Sequence, residues 1–211
     1  MNKKRIEKFS IVIPMYNEEK NVFNLIEEII SNLANFKNLY EIVVIDDGST
    51  DKTLFFLQEI QSQYNEIIRI KSNKMNQGQS FSLRKGILEA SYNTIVTIDG
   101  DCQNNPVDII KLIDMYFLEK KYHLIGGIRA NRKDSYVKKI SSKIANKVRK
   151  LYLRDNCIDT GCSLKVFDKE VFKLFPFFDG IHRFLPALFS GYGKKTFFLP
   201  VDHRPRVYGY S

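Results

Sequence analysis

The stretch Asp99-Gly100-Asp101-Cys102-Gln103 stands directly behind the apolar run Thr94-Ile95-Val96-Thr97-Ile98. Two carboxylates one residue apart, at the carboxyl end of a buried strand, reach a single divalent cation together. A hard cation such as Mg²⁺ or Mn²⁺ keeps several waters, takes one or two carboxylates and lets substrate phosphates complete its shell. The spacing therefore points to chemistry on a nucleotide diphosphate. Gly100 lets backbone and ligand approach closely, and the Gln103 amide offers one more oxygen. Asp-x-Asp by itself is common in solvated loops; its place after a strand, and the loops that accompany it, give it weight.

Three other polar segments follow strand-like runs or open helix-like ones. Phe9-Ser10-Ile11-Val12-Ile13-Pro14 reads as a buried strand that Pro14 ends, and Met15-Tyr16-Asn17-Glu18-Glu19 emerges as the loop. Glu41 to Ile45 runs into Asp46-Asp47-Gly48-Ser49-Thr50-Asp51, where Asp46 is expected to point out of the strand end and Ser49 or Thr50 to cap the next helix. Asn76-Gln77-Gly78-Gln79-Ser80 precedes another helix, and helix N-termini after Gly-containing turns favour anions. In open α/β sheets ligands bind beyond the carboxyl ends of the strands, so these segments are predicted to converge on one crevice.

The elements that would position them alternate. Strands are predicted near Phe9–Pro14, Glu41–Asp46, Ile67–Lys71, Thr94–Ile98 and Tyr122–Ile128. Helices are predicted over Asn21–Leu33, Thr50–Gln63, Gln79–Ala90 and Pro106–Glu119, with Pro106 at a helix start where its missing N–H costs nothing. This is the grammar of βαβ units: a doubly wound α/β fold with a mainly parallel sheet. Beyond residue 130 the pattern changes. Asp134–Tyr152 is amphipathic, with Val137, Ile140, Ile144, Val148 and Leu151 as one stripe. Ser163–Phe167 then reads as a strand, Asp168–Leu174 and Ile181–Ser190 as helices, and Lys195–His203 as a late strand.

Composition bounds the rest. A chain of 211 residues, 44% hydrophobic and 27% charged, is most economically one domain with a substantial core. The basic start Met1 to Lys8 lacks the apolar run of a signal peptide, and no apolar stretch approaches the ~18 residues of a membrane span. Three cysteines, Cys102, Cys157 and Cys162, lack zinc-type spacing and suit reduced thiols in a cytosol. From Arg129 to Arg154 ten basic residues face only Asp134, a surplus equal to the whole chain's net charge of +9. Such density favours an anionic partner, each basic residue contributing ~1 kcal/mol near an acidic leaflet; solvated lysines on a helix face are the plainer explanation. A single-stranded nucleic acid is disfavoured because no stacking aromatics interleave the charges. A nucleotide-binding oxidoreductase would carry G-x-G-x-x-G after the first strand, where this chain has no glycine.

Pro14-Met15-Tyr16-Asn17-Glu18, Asp46 to Asp51, Gly78-Gln79, Asp99 to Gln103, Arg129, Asn131-Arg132, Gly161-Cys162 and His203-Arg204-Pro205-Arg206 with Gly209 and Ser211 together resemble a family 2 glycosyltransferase, specifically its polyprenyl-phosphate branch. The resemblance covers essentially the whole chain and implies a GT-A type fold, with residues 1–130 holding the nucleotide sugar and residues 131–211 facing the acceptor. It implies a metal-dependent, inverting transfer of sugar from a GDP- or UDP-linked donor to a polyprenyl phosphate, on the inner face of a membrane. By the same resemblance Pro14, Tyr16, Asn17, Glu18, Asp46, Gly78, Gln79, Asp99 and Gly100 bind the nucleotide sugar. Asp99, Asp101 and Gln103 hold Mg²⁺ or Mn²⁺. Arg129, Arg132, Lys139, His203, Arg206 and Ser211 meet the acceptor phosphate, and Asp99, Asp101 and Arg129 are the catalytic set. Chains of this kind continue past the serine with Lys-Tyr and often with membrane-spanning helices; this one stops at Ser211.

The chemistry is consistent with a phosphate nucleophile. A hydroxyl acceptor needs a general base within hydrogen-bond reach, whereas a polyprenyl phosphate is already anionic and needs only positioning and charge handling. A glycosyltransferase acting on a saccharide hydroxyl is the nearer rival; Asp159 is its one candidate base, although a turn-capping role fits that residue as well. His182 is read either as part of a helix start packed on the site or as surface. Asp108 and Asp114 are expected to face solvent.

Overall fold

The computed structural model describes residues 6–130, 157, 159–206 and 208. Arg132, Lys139 and Ser211, the basic segment beyond Ala130 and the predicted helix over Asp134–Tyr152 lie outside them. In chain order the elements are β1 (Phe9–Met15), α1 (Val22–Asn32), β2 (Tyr40–Asp46), α2 (Thr53–Gln63), β3 (Ile68–Ser72), α3 (Gln79–Glu89), β4 (Thr94–Thr97), α4 (Val107–Leu118), β5 (Leu124–Arg129), β6 (Lys165–Asp168), α5 (Lys169–Lys173), α6 (Ile181–Gly191) and β7 (Thr196–Val201).

The strands form one sheet in the order β3-β2-β1-β4-β6-β5-β7. β1, β2, β3 and β4 are parallel; β6 runs against both β4 and β5, and β5 is parallel to β7. Among the described residues six strands thus share one direction and β6 opposes them. Alternate residues of each strand serve opposite faces. Ile11, Ile13, Ile42 and Val44 pack with α1, α2 and α4 on one side. Val12, Val43, Ile45 and Ile95 pack with α3, α5 and α6 on the other. The chain leaves β1 for β2 on one side and reaches β4 on the other, which opens a crevice at the carboxyl ends of β1 and β4.

Three local expectations are corrected. Pro14 does not end β1, which continues to Met15, paired with Asp46. Val12 turns its carbonyl toward Ile98, and Pro14, two residues on, faces that same side beyond the last β4 partner. Its missing N–H therefore leaves the β2 ladder intact. Ser49 and Thr50 do not cap α2, which begins at Thr53; they tie the β2 loop to the β1 loop instead. Asp108 is buried and accepts from the Asp202 N–H at 2.7 Å, anchoring the chain just past β7, whereas Asp114 is exposed as expected.

Candidate active site

The β1 and β2 loops are stitched together before any ligand enters. Asn17, in the left-handed region at φ 53°, donates its N–H to Ser49 Oγ (3.0 Å) and accepts at Oδ1 from the Thr50 N–H (2.8 Å). The Glu18 N–H donates to Thr53 Oγ1 at 2.8 Å. Asp46 does not point out of the strand end: it is 1% exposed, and its carboxylate accepts from Ser72 Oγ (2.7 Å) and the Ser49 N–H (3.3 Å). Its neighbour Asp47, on the opposite face of the strand, organises the third loop. Asp47 accepts from Asn73 Nδ2 (2.7 Å), the Gln77 N–H (2.9 Å) and the Gly78 N–H (2.9 Å). Gly78 sits at φ 88°, a conformation that strains any other residue, and α3 starts immediately after it.

Gly100 lacks a side chain for a packing reason as well: a Cβ there would lie 2.7 Å from Met15 Cγ and 3.2 Å from the Pro14 carbonyl oxygen. The Asp99–Asp101 turn is thereby seated on the end of β1. Cys102, at φ 58°, completes the turn in a left-handed conformation costly for its type. Asp99 accepts from Gln79 Nε2 (2.7 Å), and its N–H donates to Ser163 Oγ (3.2 Å), which also accepts from Asn104 Nδ2 (2.8 Å). Asp101 accepts at Oδ1 from the Gln103 N–H (3.1 Å) and at Oδ2 from Arg206 Nη2 (3.2 Å).

A cavity of about 290 Å³ opens between these loops, walled by Pro14, Tyr16, Glu18, Asp47, Gly78, Gln79, Asp99, Gly100, Asp101 and Arg206, with Met15 and Asn76. Asn17 and Asp46 are not on that wall; they hold the loops that form it. A second, smaller cavity of about 40 Å³ shares Asp99 and Asp101 with the first and adds Gln103, Arg129, Ser163 and His203. The Arg129 guanidinium forks onto Asp159, Nε and Nη2 each 2.7 Å from a carboxylate oxygen, and the Arg129 N–H adds a third bond at 3.1 Å. His203 pairs with Asn104 in an isolated bridge.

The electrostatics fit a cation here. Asp99 keeps part of its surface open to the cavity, yet the protein around its carboxyl and the adjacent Asp101 charge push it up to about 6. Burial also raises Glu18 above the usual carboxylate range. A crowd of partly dehydrated carboxylates favours protons or a cation. Gln103 donates its side-chain N–H to the Arg204 carbonyl at 3.2 Å, which leaves Oε1 as its available oxygen. Lys165, buried behind Asp99 and held by the Cys162 carbonyl, supplies a nearby positive charge that burial itself weakens. Both Cys102 and Cys162 have thiols pushed up to about 11, chiefly by burial, so neither is a ready nucleophile at neutral pH.

Residues 10–175 match the model of glycosyl transferase family 2. The chain belongs to this family. The undecaprenyl-phosphate 4-deoxy-4-formamido-L-arabinose transferase of Photorhabdus laumondii is 32% identical over 212 residues, all of this chain and 64% of that protein. The dodecaprenyl-phosphate galacturonate synthase of Rhizobium johnstonii is 33% identical over 206 residues, 96% of this chain and 60% of the relative. The chain thus spans less than two thirds of the length of these curated relatives. Among solved structures, a Pyrobaculum calidifontis mannosyltransferase in complex with GDP-Man and Mn²⁺ superposes with TM-score 0.71 at 15% identity, covering 97% of this chain and 58% of that one. Glucosyl-3-phosphoglycerate synthase of Mycobacterium tuberculosis with Mn²⁺ and UDP-glucose gives TM-score 0.71 at 18% identity, covering 97% and 72%. The GT-A fold expected for a family 2 glycosyltransferase is the fold observed.

Within that frame Ser163 had little sequence signature, whereas Asn76 and His182 stand in segments that the sequence already singled out. Ser163 follows the Gly161-Cys162 pair and supports Asp99 and Asn104 together. Asn76 lines the cavity from the third loop. His182 lies at the start of α6, its Nδ1 2.9 Å from Ser80 Oγ, which also accepts from the Gly180 N–H at 2.8 Å. Burial lowers His182 to about 4, so a neutral ring fastens α6 to the start of α3, one residue from Gln79.

Proposed function

We propose that this glycosyltransferase moves a sugar from a UDP- or GDP-linked donor to a polyprenyl phosphate, with Mg²⁺ or Mn²⁺ bound by Asp99, Asp101 and Gln103. The observation that carries this reading is the meeting of two cavities at Asp99 and Asp101. The larger has loop walls and polar groups suited to a nucleoside diphosphate sugar; the smaller carries Arg129 and His203, suited to an anionic acceptor. Tyr16, 43% exposed on the larger cavity's wall, offers a ring face for the base. The cation would neutralise charge developing on the departing diphosphate. The chain's own residues orient the reactants: Gln79 and Ser163 fix Asp99, and Asp159 fixes Arg129 through a fork that favours arginine over lysine. An anionic phosphate so held attacks the sugar C1 from the face opposite the diphosphate and inverts it.

The relatives' lipid-phosphate acceptors support this acceptor class. Both oxygens of Asp159, the candidate base of the hydroxyl-acceptor rival, accept from Arg129, which weakens that rival. A panel of UDP- and GDP-sugars, tested by thermal shift with Mn²⁺ and with EDTA, identifies the donor. One nucleotide sugar is expected to stabilise the protein several degrees more with the metal; equal stabilisation in EDTA across the panel contradicts the metal role.

The same reading places the protein at an acidic membrane surface. No helix among the described residues is long and apolar enough to cross a membrane. Phe81 and Phe177 pack edge to face at 6.3 Å, as do Phe178 and Phe184 at 5.8 Å, yet all four stay substantially exposed, with Arg84 over Phe177 and Arg183 beside Phe184. Aromatic rings beside cations suit a bilayer interface. Co-sedimentation with phosphatidylglycerol vesicles is expected to fall several-fold in the Phe178→Ser, Phe184→Ser double variant and with added salt. Unchanged sedimentation would remove this surface from the account.

A further inference from the structure

The last described turn of the chain is fastened along the Asp101–Asn104 turn residue by residue. His203 bridges Asn104, the Arg204 N–H donates to the Gln103 carbonyl at 2.7 Å, and Gln103 returns a bond from its side chain to the Arg204 carbonyl at 3.2 Å. The Arg204 guanidinium forks onto Glu28 of α1 at 2.9 and 2.7 Å. This double anchorage fixes where Arg206 falls. Its Nη2 lies 3.2 Å from Asp101 Oδ2 and 3.3 Å from Glu18 Oε1, with the side chain only 25% exposed. A positive group thus sits on a carboxylate that a divalent cation needs.

We infer that Arg206 is a resident countercharge that makes divalent-cation binding conditional on the nucleoside diphosphate. The inference rests on the metal role of Asp99 and Asp101. Glu18 and Asp101 share one guanidinium, so the pair of carboxylates is already half neutralised without metal. A dication arriving alone at Asp101 meets a neighbouring positive charge and must displace it from two anionic partners. A dication arriving with a diphosphate brings anionic oxygens into the same cavity, and Arg206, which lines that cavity, exchanges its carboxylates for phosphate. Binding of metal and nucleotide is then cooperative, and by reciprocity each tightens the other by the same factor.

The test is protein-bound Mn²⁺, read as the loss of the free-ion paramagnetic resonance signal beyond the loss that UDP or GDP causes without protein. In the wild type the nucleotide is expected to tighten Mn²⁺ by at least about tenfold. Arg206→Gln should bind Mn²⁺ alone more tightly than the wild type, about fivefold or more, and show little further gain from nucleotide. Lys20→Gln controls for general charge; Lys20 is exposed and stacks over Tyr208 near the same tail, and should leave both values unchanged. An unchanged melting temperature without ligand verifies that Arg206→Gln folds. If Arg206→Gln binds Mn²⁺ alone no better than the wild type, or if Lys20→Gln behaves as Arg206→Gln does, the inference is wrong. Mn²⁺ binding that Asp101→Ala abolishes separates that failure from failure of the metal site. If no variant and no wild-type sample binds Mn²⁺ even with nucleotide, the metal reading fails and the inference with it.

Discussion

Asp101→Ala is expected to lower sugar transfer by at least ~10³-fold, about 4 kcal/mol of transition-state stabilisation, and to erase the extra thermal stabilisation that UDP or GDP draws from Mn²⁺ over EDTA. The size follows from what the carboxylate does. It is one of two carboxylates on a turn whose Gly100 is seated against Pro14 and Met15, and it accepts from the Gln103 N–H and from Arg206. A melting temperature measured beside the transfer rate separates loss of these bonds from loss of the metal ligand. Asp101→Asn is the informative companion, because it keeps the Oδ1 acceptor for the Gln103 N–H while discarding the charge. Asn is expected to behave as Ala does in metal-dependent binding. An Asn variant with wild-type transfer would mean that shape, and not charge, is what this position contributes.

Arg129→Ala is expected to reduce transfer by about 10²- to 10³-fold, the scale for losing one preorganised donor to a reacting anion. It should leave nucleotide-sugar affinity unchanged, since Arg129 lines the smaller cavity and not the larger. Removing the guanidinium also takes its fork from the buried Asp159, a loss that by itself destabilises. The pair Arg129→Gln, Asp159→Asn keeps neutral hydrogen-bonding groups at both positions and should recover stability without recovering transfer. Should stability and transfer return together, Arg129 is structural and the acceptor phosphate is held elsewhere.

The sheet was legible because the apolar runs of β1, β2 and β4 are buried on both faces and end in polar turns. Helices of the right length lie between them. β6 was legible as a strand but not as the one reversed strand: four residues carry no mark of direction, and the sense is set by pairing with β4 and β5 on either side. Asp46 and Asp47 show the limit at the residue level. Adjacent carboxylates at a strand end point to opposite faces, and the sequence cannot say which faces the crevice. The register of β2 turns Asp46 toward Ser72 and leaves Asp47 to build the Gly78 turn. Asp99 and Asp101 were readable from their spacing together with their place behind an apolar strand. Their partners were not: Gln79, Ser163 and Arg206 lie far away in sequence and meet them only through the fold. Arg129 lines the smaller cavity with its guanidinium forked onto Asp159, a pairing between residues 30 apart that no local pattern announces.

Everything proposed for the smaller cavity depends on an acceptor that is a lipid phosphate. The direct measurement offers the protein its donor with Mn²⁺ and, in parallel, a short-chain polyprenyl phosphate, the corresponding polyprenol and a set of free saccharides. Transfer is expected to the phosphate alone, with product of inverted anomeric configuration that is lost in Arg129→Ala. Transfer to the polyprenol or to a saccharide at a comparable rate, persisting in Arg129→Ala, would contradict a lipid-phosphate acceptor.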